Sequence, residues 1–419
     1  RNRCCGGSEN VNVLTERCLV EDDSVRWVRW LDYFNVVWMG STAFSFLIYA
    51  TLSMLLTGIA MLLVHEFSPS ARGSGIPDVK AAVSGFDLPQ CFSGSCLLMK
   101  TLGLSLAVGA GLSLGKEGPL IHIGVCWAGA LARIIRCLRI PGGSALPLHD
   151  FACAGAAAGV ATAFGAPLGG VLFVAEELGS VRALGRRSLL FAFTAAVSAS
   201  FLVKHMNLSG ANRLTLFSLA TSTHNPRKEW HSWEMIAYSM IGVSCGLIGA
   251  FFVRVNLWWT RLRRLHANNG RLWQVPNFLQ DSFLTVFPCF RNDGPGLAFT
   301  PLSLNIAEGV VIAIMTAMLN YPFLGILRAP SMEGIHAMFE ACPGHRGERF
   351  DLCEQGGPAV DSFSCLGLVL AACMRVFQTS YTFGAALPSG LFIPSMFIGA
   401  TLGRLMGNIV YTINENLAD

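Results

Sequence analysis

The feature that most constrains this chain is its series of long stretches without a single Asp, Glu, Lys or Arg: Trp38 to Val64, Phe151 to Ala175, Met235 to Val253, Gly309 to Leu327 and Val376 to Gly403. A helix crosses ~30 Å of hydrocarbon with about 20 apolar residues. With 53% hydrophobic and only 13% charged residues, the chain has too little polar surface to enclose all of these in an ordinary globular core. Three shorter stretches, Thr101 to Gly115, Gly118 to Ala132 and Ser188 to Val203, are dense in Gly, Ala and Ser. That composition belongs to helices that pack closely or break inside a membrane. The expected fold is an all-α integral membrane bundle.

Polar segments give this bundle a provisional topology. Residues 1–37 read as a polar or interfacial N-terminal segment, 38–205 as a first transmembrane repeat and 233–419 as a second. The segment 261–301 opens with "RLRRLHANNG" and is expected to be a cytosolic loop under the positive-inside rule. One crossing away on either side, loops 206–232 and 328–362 then face a lumen or the exterior. The first holds the chain's one Asn-x-Ser/Thr sequon, at Asn207, and the second holds Cys342 and Cys353. Glycosylation and a disulfide both suit that side, although one sequon is also what chance supplies. Cys126, Cys153, Cys245, Cys365 and Cys373 lie in apolar runs and are expected to act as small hydrophobes. The chain opens on Arg1 with no apolar core behind it, so no signal peptide is expected and the N-terminus reads as truncated. A net charge of +4 with no basic, aromatic-interleaved stripe argues against nucleic acid as a partner.

Four Gly/Pro-rich stretches interrupt the apolar runs: "GSGIPD" at Gly73, "GKEGP" at Gly115, "GAPLGG" at Gly165 and "PSGLFIP" at Pro388. Proline just inside a helix start and glycine just before it mark helix beginnings. A helix that begins inside a membrane leaves free N–H groups that lipid cannot satisfy. Together with the positive end of the helix dipole, they make an anion site that glycine lets a ligand approach. Glu117 then has two readings. Its carboxylate is a tethered competitor for a small anion, hence a gate that protonation would release, or it is a plain cap on the helix start. A phosphate-binding loop is excluded, because Ala110 stands where the first glycine of that pattern belongs and Glu117 follows the lysine. "GKEGP" and "GLFIP" share a Gly-x3-Pro spacing, which reads as one element in two inverted repeats.

The set "GSGIP", "GKEGP" and "GLFIP", in this order and joined by "AGAAAGVATAFGAPLGGVLFVAEE", resembles the CLC family of chloride channels and chloride/proton exchangers. In detail it is most similar to the endosomal and lysosomal exchanger branch. The resemblance implies a CLC-type inverted-repeat bundle of tilted and broken helices. It also implies transport of chloride, as a voltage-sensitive chloride/proton antiporter with a glutamate gate. Carried over by residue, it makes Ser74, with Gly75 and Ile76, a donor group for the anion, and Glu117 the gate. The backbone at Gly118, Leu391 and Phe392 would line the path, and Glu177, the second glutamate of "VAEE", would be the proton glutamate of exchangers. Glu177 also reads as a solvated residue at a helix end.

Serine at position 74 is similar to chloride-selective members, and Asp78 departs from the glutamate usual there. After the second Gly-x3-Pro, too little chain follows to complete the repeat. The second repeat is therefore expected to be truncated, without the tyrosine that completes the central anion site, the last dimer-interface helices and the cytosolic nucleotide-binding domains. The implied partners are chloride, protons, membrane lipid and a second copy in a homodimer, with no bound cofactor or metal and no enzymatic activity. The implied location is an endosomal, lysosomal or vacuolar membrane in preference to the plasma membrane. A passive chloride channel and a non-transporting fragment or accessory subunit are the alternatives.

Overall fold

A computed structural model describes residues 42–86, 88–138, 148–178, 185–206, 234–269, 302–323, 325–340, 352–354, 357–358 and 362–418. Helix α1 (Thr42–Phe67) fills the first uncharged stretch, and a 3-10 turn (Pro69–Ala71) leads to the short α2 (Ile76–Val83). Next come α3 (Gly94–Gly109), α4 (Glu117–Cys137) and α5 (Leu148–Phe164). After α5 the chain breaks at Gly165 and Ala166, resumes as α6 (Pro167–Phe173) with a π turn (Val174–Leu178), and continues into α7 (Arg186–His205). The second half holds α8 (Glu234–Asn269), α9 (Leu302–Phe323), α10 (Gly325–Arg328), α11 (Ser331–Phe339), α12 (Ser362–Thr382) and α13 (Phe392–Ala418). Among the described residues the one β-ladder pairs β1 (Cys353–Glu354) with β2 (Gly357–Pro358), so the molecule is an all-α bundle. Among the described residues, five helices are long and apolar enough to span a membrane: Phe46–Phe67, Glu117–Cys137, Arg186–His205, Glu234–Arg263 and Phe392–Ile413. Their outward faces carry exposed Leu55, Leu190, Phe201, Val243 and Phe251, as a lipid-facing surface does.

The breaks fall where glycine and proline put them. Pro77 and Pro167 sit in the first turn of α2 and α6, and Pro119 and Pro394 are the third residues of α4 and α13. Small residues decide the packing between. A Cβ on Gly124 would run into the Gly155 carbonyl and come within 3.4 Å of the Gly159 Cα. One on Gly159 would lie 2.7 Å from the Leu120 oxygen. Helices α4 and α5 therefore touch backbone to backbone, the close approach that small-residue spacing allows without a hydrophobic driving force in lipid. Around this crossing, Val79, Ile121, Cys153, Val174 and Ala192 join α2, α4, α5, the π turn and α7 in one core. A second core joins Ile335, Leu368 and Phe397 across α11, α12 and α13. A third joins α1, α3 and α9 to the loops before α4 and α13, through Met61, Leu114, Ile312 and Leu387.

The polar segments differ from their expected form. Segment 261–301 begins as helix, because α8 continues to Asn269. Segment 328–362 contains α11, whose Ile335, Ala337 and Met338 are buried. Both are held by contacts that local polarity does not reveal. Arg263 pairs with Glu308 and donates to the Tyr381 and Phe383 carbonyls, the latter at 3.1 Å, and the apolar face of α11 packs on α13. Cys353 is disulfide-bonded; its partner lies outside the described residues, as do Cys342 and Asn207. Of the cysteines expected to be small hydrophobes, Cys126 and Cys153 are buried and free, whereas free Cys373 faces outward.

Candidate functional site

Two helices start at the same place from opposite ends of the sequence. In α4 the first amide to find a helical carbonyl is that of Leu120, which donates to Lys116 at 3.0 Å. In α13 it is that of Ser395, which donates to Leu391 at 3.0 Å. The amides of Glu117 and Gly118, and those of Phe392 and Ile393, therefore point out of the helix ends with no helical acceptor, while Pro119 and Pro394 contribute no N–H at all. What brings these ends together is a two-bond antiparallel bridge. The Gly115 amide donates to Gly390 at 2.7 Å, and the Gly390 amide donates back at 2.9 Å. Each glycine stands two residues before its helix, so the shared Gly-x3-Pro spacing becomes a local two-fold relation between the repeats. Glycine is needed at this contact: a Cβ on Gly390 would sit 3.0 Å from the Gly115 oxygen and 3.3 Å from the Gly118 nitrogen.

The "GSGIP" turn completes the junction. The Gly73 amide donates to Leu387 at 2.9 Å, and the Ser389 amide donates to Gly73 at 3.3 Å, which seats the turn on the loop leading into α13. Gly75 adopts φ 76° with the buried His122 ring filling the space its side chain would need. That ring in turn stands edge-on to Phe92 at 5.0 Å. Ser74 faces Gly118: a Cβ on Gly118 would lie 2.8 Å from the Ser74 Cβ and 3.5 Å from the Ile76 Cδ1. The Ser74 hydroxyl accepts from the Ile76 amide at 3.4 Å, which leaves its own proton to donate. The fourth stretch arrives through Phe164, whose ring meets Phe392 at 4.9 Å.

Glu117 closes the junction. Its side chain is 2% exposed, and neither carboxylate oxygen makes a hydrogen bond of ordinary geometry among the described residues. The oxygens face the backbone amides of Lys116, Ile393 and Glu117 itself. Oε2 occupies the space in which a Gly115 Cβ would stand, with the Ile393 nitrogen 3.2 Å from that point. A carboxylate thus lies among the N-terminal amides of two helices whose dipoles present about half a positive charge each, in surroundings where a small anion would find the same donors. Among the described residues no group of three or more His, Cys, Asp or Glu is placed to hold a metal ion.

Glu177 is set apart from this junction. It lies on the π turn, half exposed, and its carboxylate meets Lys80 Nζ at 2.5 Å. The structure thus brings Ser74, Gly75, Ile76, Glu117, Gly118, Leu391 and Phe392 into one place, and holds Glu177 instead against Lys80 of α2. Sequence reasoning missed the Lys116 and Ile393 amides, although Ile393 belongs to the quoted "GLFIP". It also missed Asn256 and Arg263, for which no local signal exists. Asn256 donates to the Ser380 and Phe383 carbonyls, at 3.0 Å each. With Arg263 it satisfies the end of α12, which the break before α13 leaves without helical partners.

Comparison with known proteins agrees with this geometry. A family model described as voltage gated chloride channel matches residues 56–418. The H(+)/Cl(-) exchange transporter 5 of Homo sapiens is 32% identical over 421 residues, covering 96% of this chain and 45% of its own length. The H(+)/Cl(-) exchange transporter 3 of Mus musculus is 32% identical over 423 residues, covering 97% and 46%. A crystal structure of a eukaryotic CLC transporter superposes with a TM-score of 0.58 at 21% identity, over 91% of this chain and 56% of that one. The chain spans about half the length of the curated relatives it matches.

Proposed function

Because the chain belongs to the voltage-gated chloride channel family, we propose that it moves chloride across a membrane in exchange for protons. The observation that carries this reading is the Glu117 carboxylate, buried among the helix-start amides of both repeats. Such a carboxylate competes with chloride for the same donors. Protonation removes its charge, so chloride entry and proton binding exclude one another at a single point. The relatives' names, H(+)/Cl(-) exchange transporters, support the same pairing of substrates. Ser74 supplies a hydroxyl donor to the anion, and the Gly118, Leu391, Phe392 and Ile393 backbone lines its path. Glu177 takes up protons at the other end of the proton route. Assembly as a homodimer and residence in an endosomal, lysosomal or vacuolar membrane complete the proposal, on the similarity of the motifs to that branch.

The test is paired chloride and proton flux on the full chain in proteoliposomes under a chloride gradient. Uphill proton movement is expected in the parent. Glu117→Gln should abolish it while chloride still moves, because a neutral amide does not compete electrostatically for the site. Glu177→Gln should abolish it with the gate intact. Chloride movement without proton movement in the parent would make the protein a channel; undiminished proton pumping in Glu177→Gln would remove that glutamate from the route.

A further inference from the structure

Lys80 and Glu177 form an ion pair that neither the anion junction nor the helix packing requires. Lys80 lies on α2, the eight-residue helix whose first residue, Ile76, ends the Ser74–Ile76 turn, and its ammonium meets the Glu177 carboxylate at 2.5 Å with the two side chains 40% and 50% exposed. A pair so exposed adds little to stability. Its consequence is geometric, because it ties the π turn to the helix that positions the anion motif. The other ionisable groups on the elements packed around this turn are Asp78 on α2, Glu176 on the turn itself, and His149 and Asp150 at the start of α5. Asp150 is already engaged, accepting from Ser188 at 2.5 Å. Lys80 is a cation in direct contact with the Glu177 carboxylate.

We propose that Lys80 is a positioning residue for the proton branch of the exchange: it holds the Glu177 carboxylate against α2, so that proton uptake at Glu177 releases a tether on the helix that presents Ser74, Gly75 and Ile76. The proposal rests on the exchanger reading above. When Glu177 is charged, a charge-assisted hydrogen bond clamps the π turn to α2. Once it is neutral, the Coulombic part of that bond is gone and α2 keeps only its apolar packing on α4, α5 and the π turn itself. Protonation is thereby felt at the other end of α2, six residues before Lys80, where the Ser74 side chain faces Gly118. A neutral residue at position 80 breaks the link whatever it does to folding.

The experiment measures protons moved per chloride, from reversal potentials, on the full chain in proteoliposomes. Lys80→Met and Lys80→Gln should lower the ratio by about twofold to fivefold, the range an exposed ion pair can supply, and Lys80→Arg should restore it. In a Glu177→Gln background Lys80→Met should change nothing further. A purely structural lysine would not show this pattern of rescue and non-additivity. As a check that does not depend on transport, a carbodiimide should condense the two side chains into an amide that peptide mass mapping recovers. Parental coupling in both neutral variants, with Glu177→Gln uncoupled, would overturn the role of Lys80 and leave the exchanger reading standing. Parental coupling in Glu177→Gln would overturn the reading itself, and the proposal with it.

Discussion

Gly115→Ala tests the gate without touching its charge. The φ of Gly115 lies outside the left-handed region, so alanine brings no backbone strain and its whole effect is its methyl group. That methyl would clash with the Glu117 Oε2 atom, and would stand 3.2 Å from the Ile393 nitrogen and 3.3 Å from the Gly390 oxygen. The two backbone contacts yield by a few tenths of an ångström, whereas the carboxylate has to leave. Overpacking of this kind costs ~1–3 kcal/mol, and here the penalty falls on the closed arrangement alone, because an open gate has already vacated the space. At ~1.4 kcal/mol per factor of ten, the closed-to-open balance should move roughly tenfold to a hundredfold toward open. Chloride efflux from proteoliposomes should rise toward that of Glu117→Gln, with proton coupling reduced, while the melting temperature in detergent stays near the parent's. In a Glu117→Gln background the same substitution should add little. Parental efflux and parental coupling in a well-folded Gly115→Ala protein would show that the carboxylate does not rest among these amides.

Ser74→Pro removes the hydroxyl that faces Gly118 and should shift anion preference from chloride toward nitrate; equal chloride-to-nitrate flux ratios in the two proteins would remove Ser74 from anion selection. Gly155→Val drives side-chain atoms into the Gly124 carbonyl and the Ala128 Cβ, 2.8 Å from the alanine replacement's own methyl position, and should destabilise the α4–α5 crossing by ~2–4 kcal/mol, read as a lowered melting temperature. Cys353 should resist alkylation until a reductant is added, whereas exposed Cys373 should react at once; labelling of Cys353 without reductant would show its thiol free.

Much of this protein was legible from local chemistry. The uncharged stretches from Trp38 and Met235 coincide with spanning helices, because hydrocarbon imposes a length and a polarity on any segment that crosses it, whereas those from Phe151 and Val376 each contain a helix break. The breaks at Gly165 and before Glu117 and Phe392 were readable because proline and glycine act within one turn of their own position. Glu117 stood out at an intramembrane helix start as either a gate or a plain cap; its burial was decided by the fold. Less could be read where polarity misled: the basic start of 261–301 is helix because Arg263 is held by the end of α12, and 331–339 is helix because its apolar face has α13 to cover it.

What composition and spacing determined is the kind of molecule: a membrane bundle of broken helices whose Gly/Pro starts carry a glutamate among them. Which atoms meet was decided only by the fold. Ser113 hydrogen-bonds Thr379 across 266 positions of sequence at 2.8 Å; Gly115 bridges Gly390; the distant Ile393 amide joins those of Lys116 and Glu117 at the Glu117 carboxylate; and Lys80 reaches Glu177. Hydropathy and turn chemistry act over a few residues and select elements. Partners so far apart are selected by which small residues let two backbones approach and by which carbonyls and amides would otherwise be left unpaired in a medium without water.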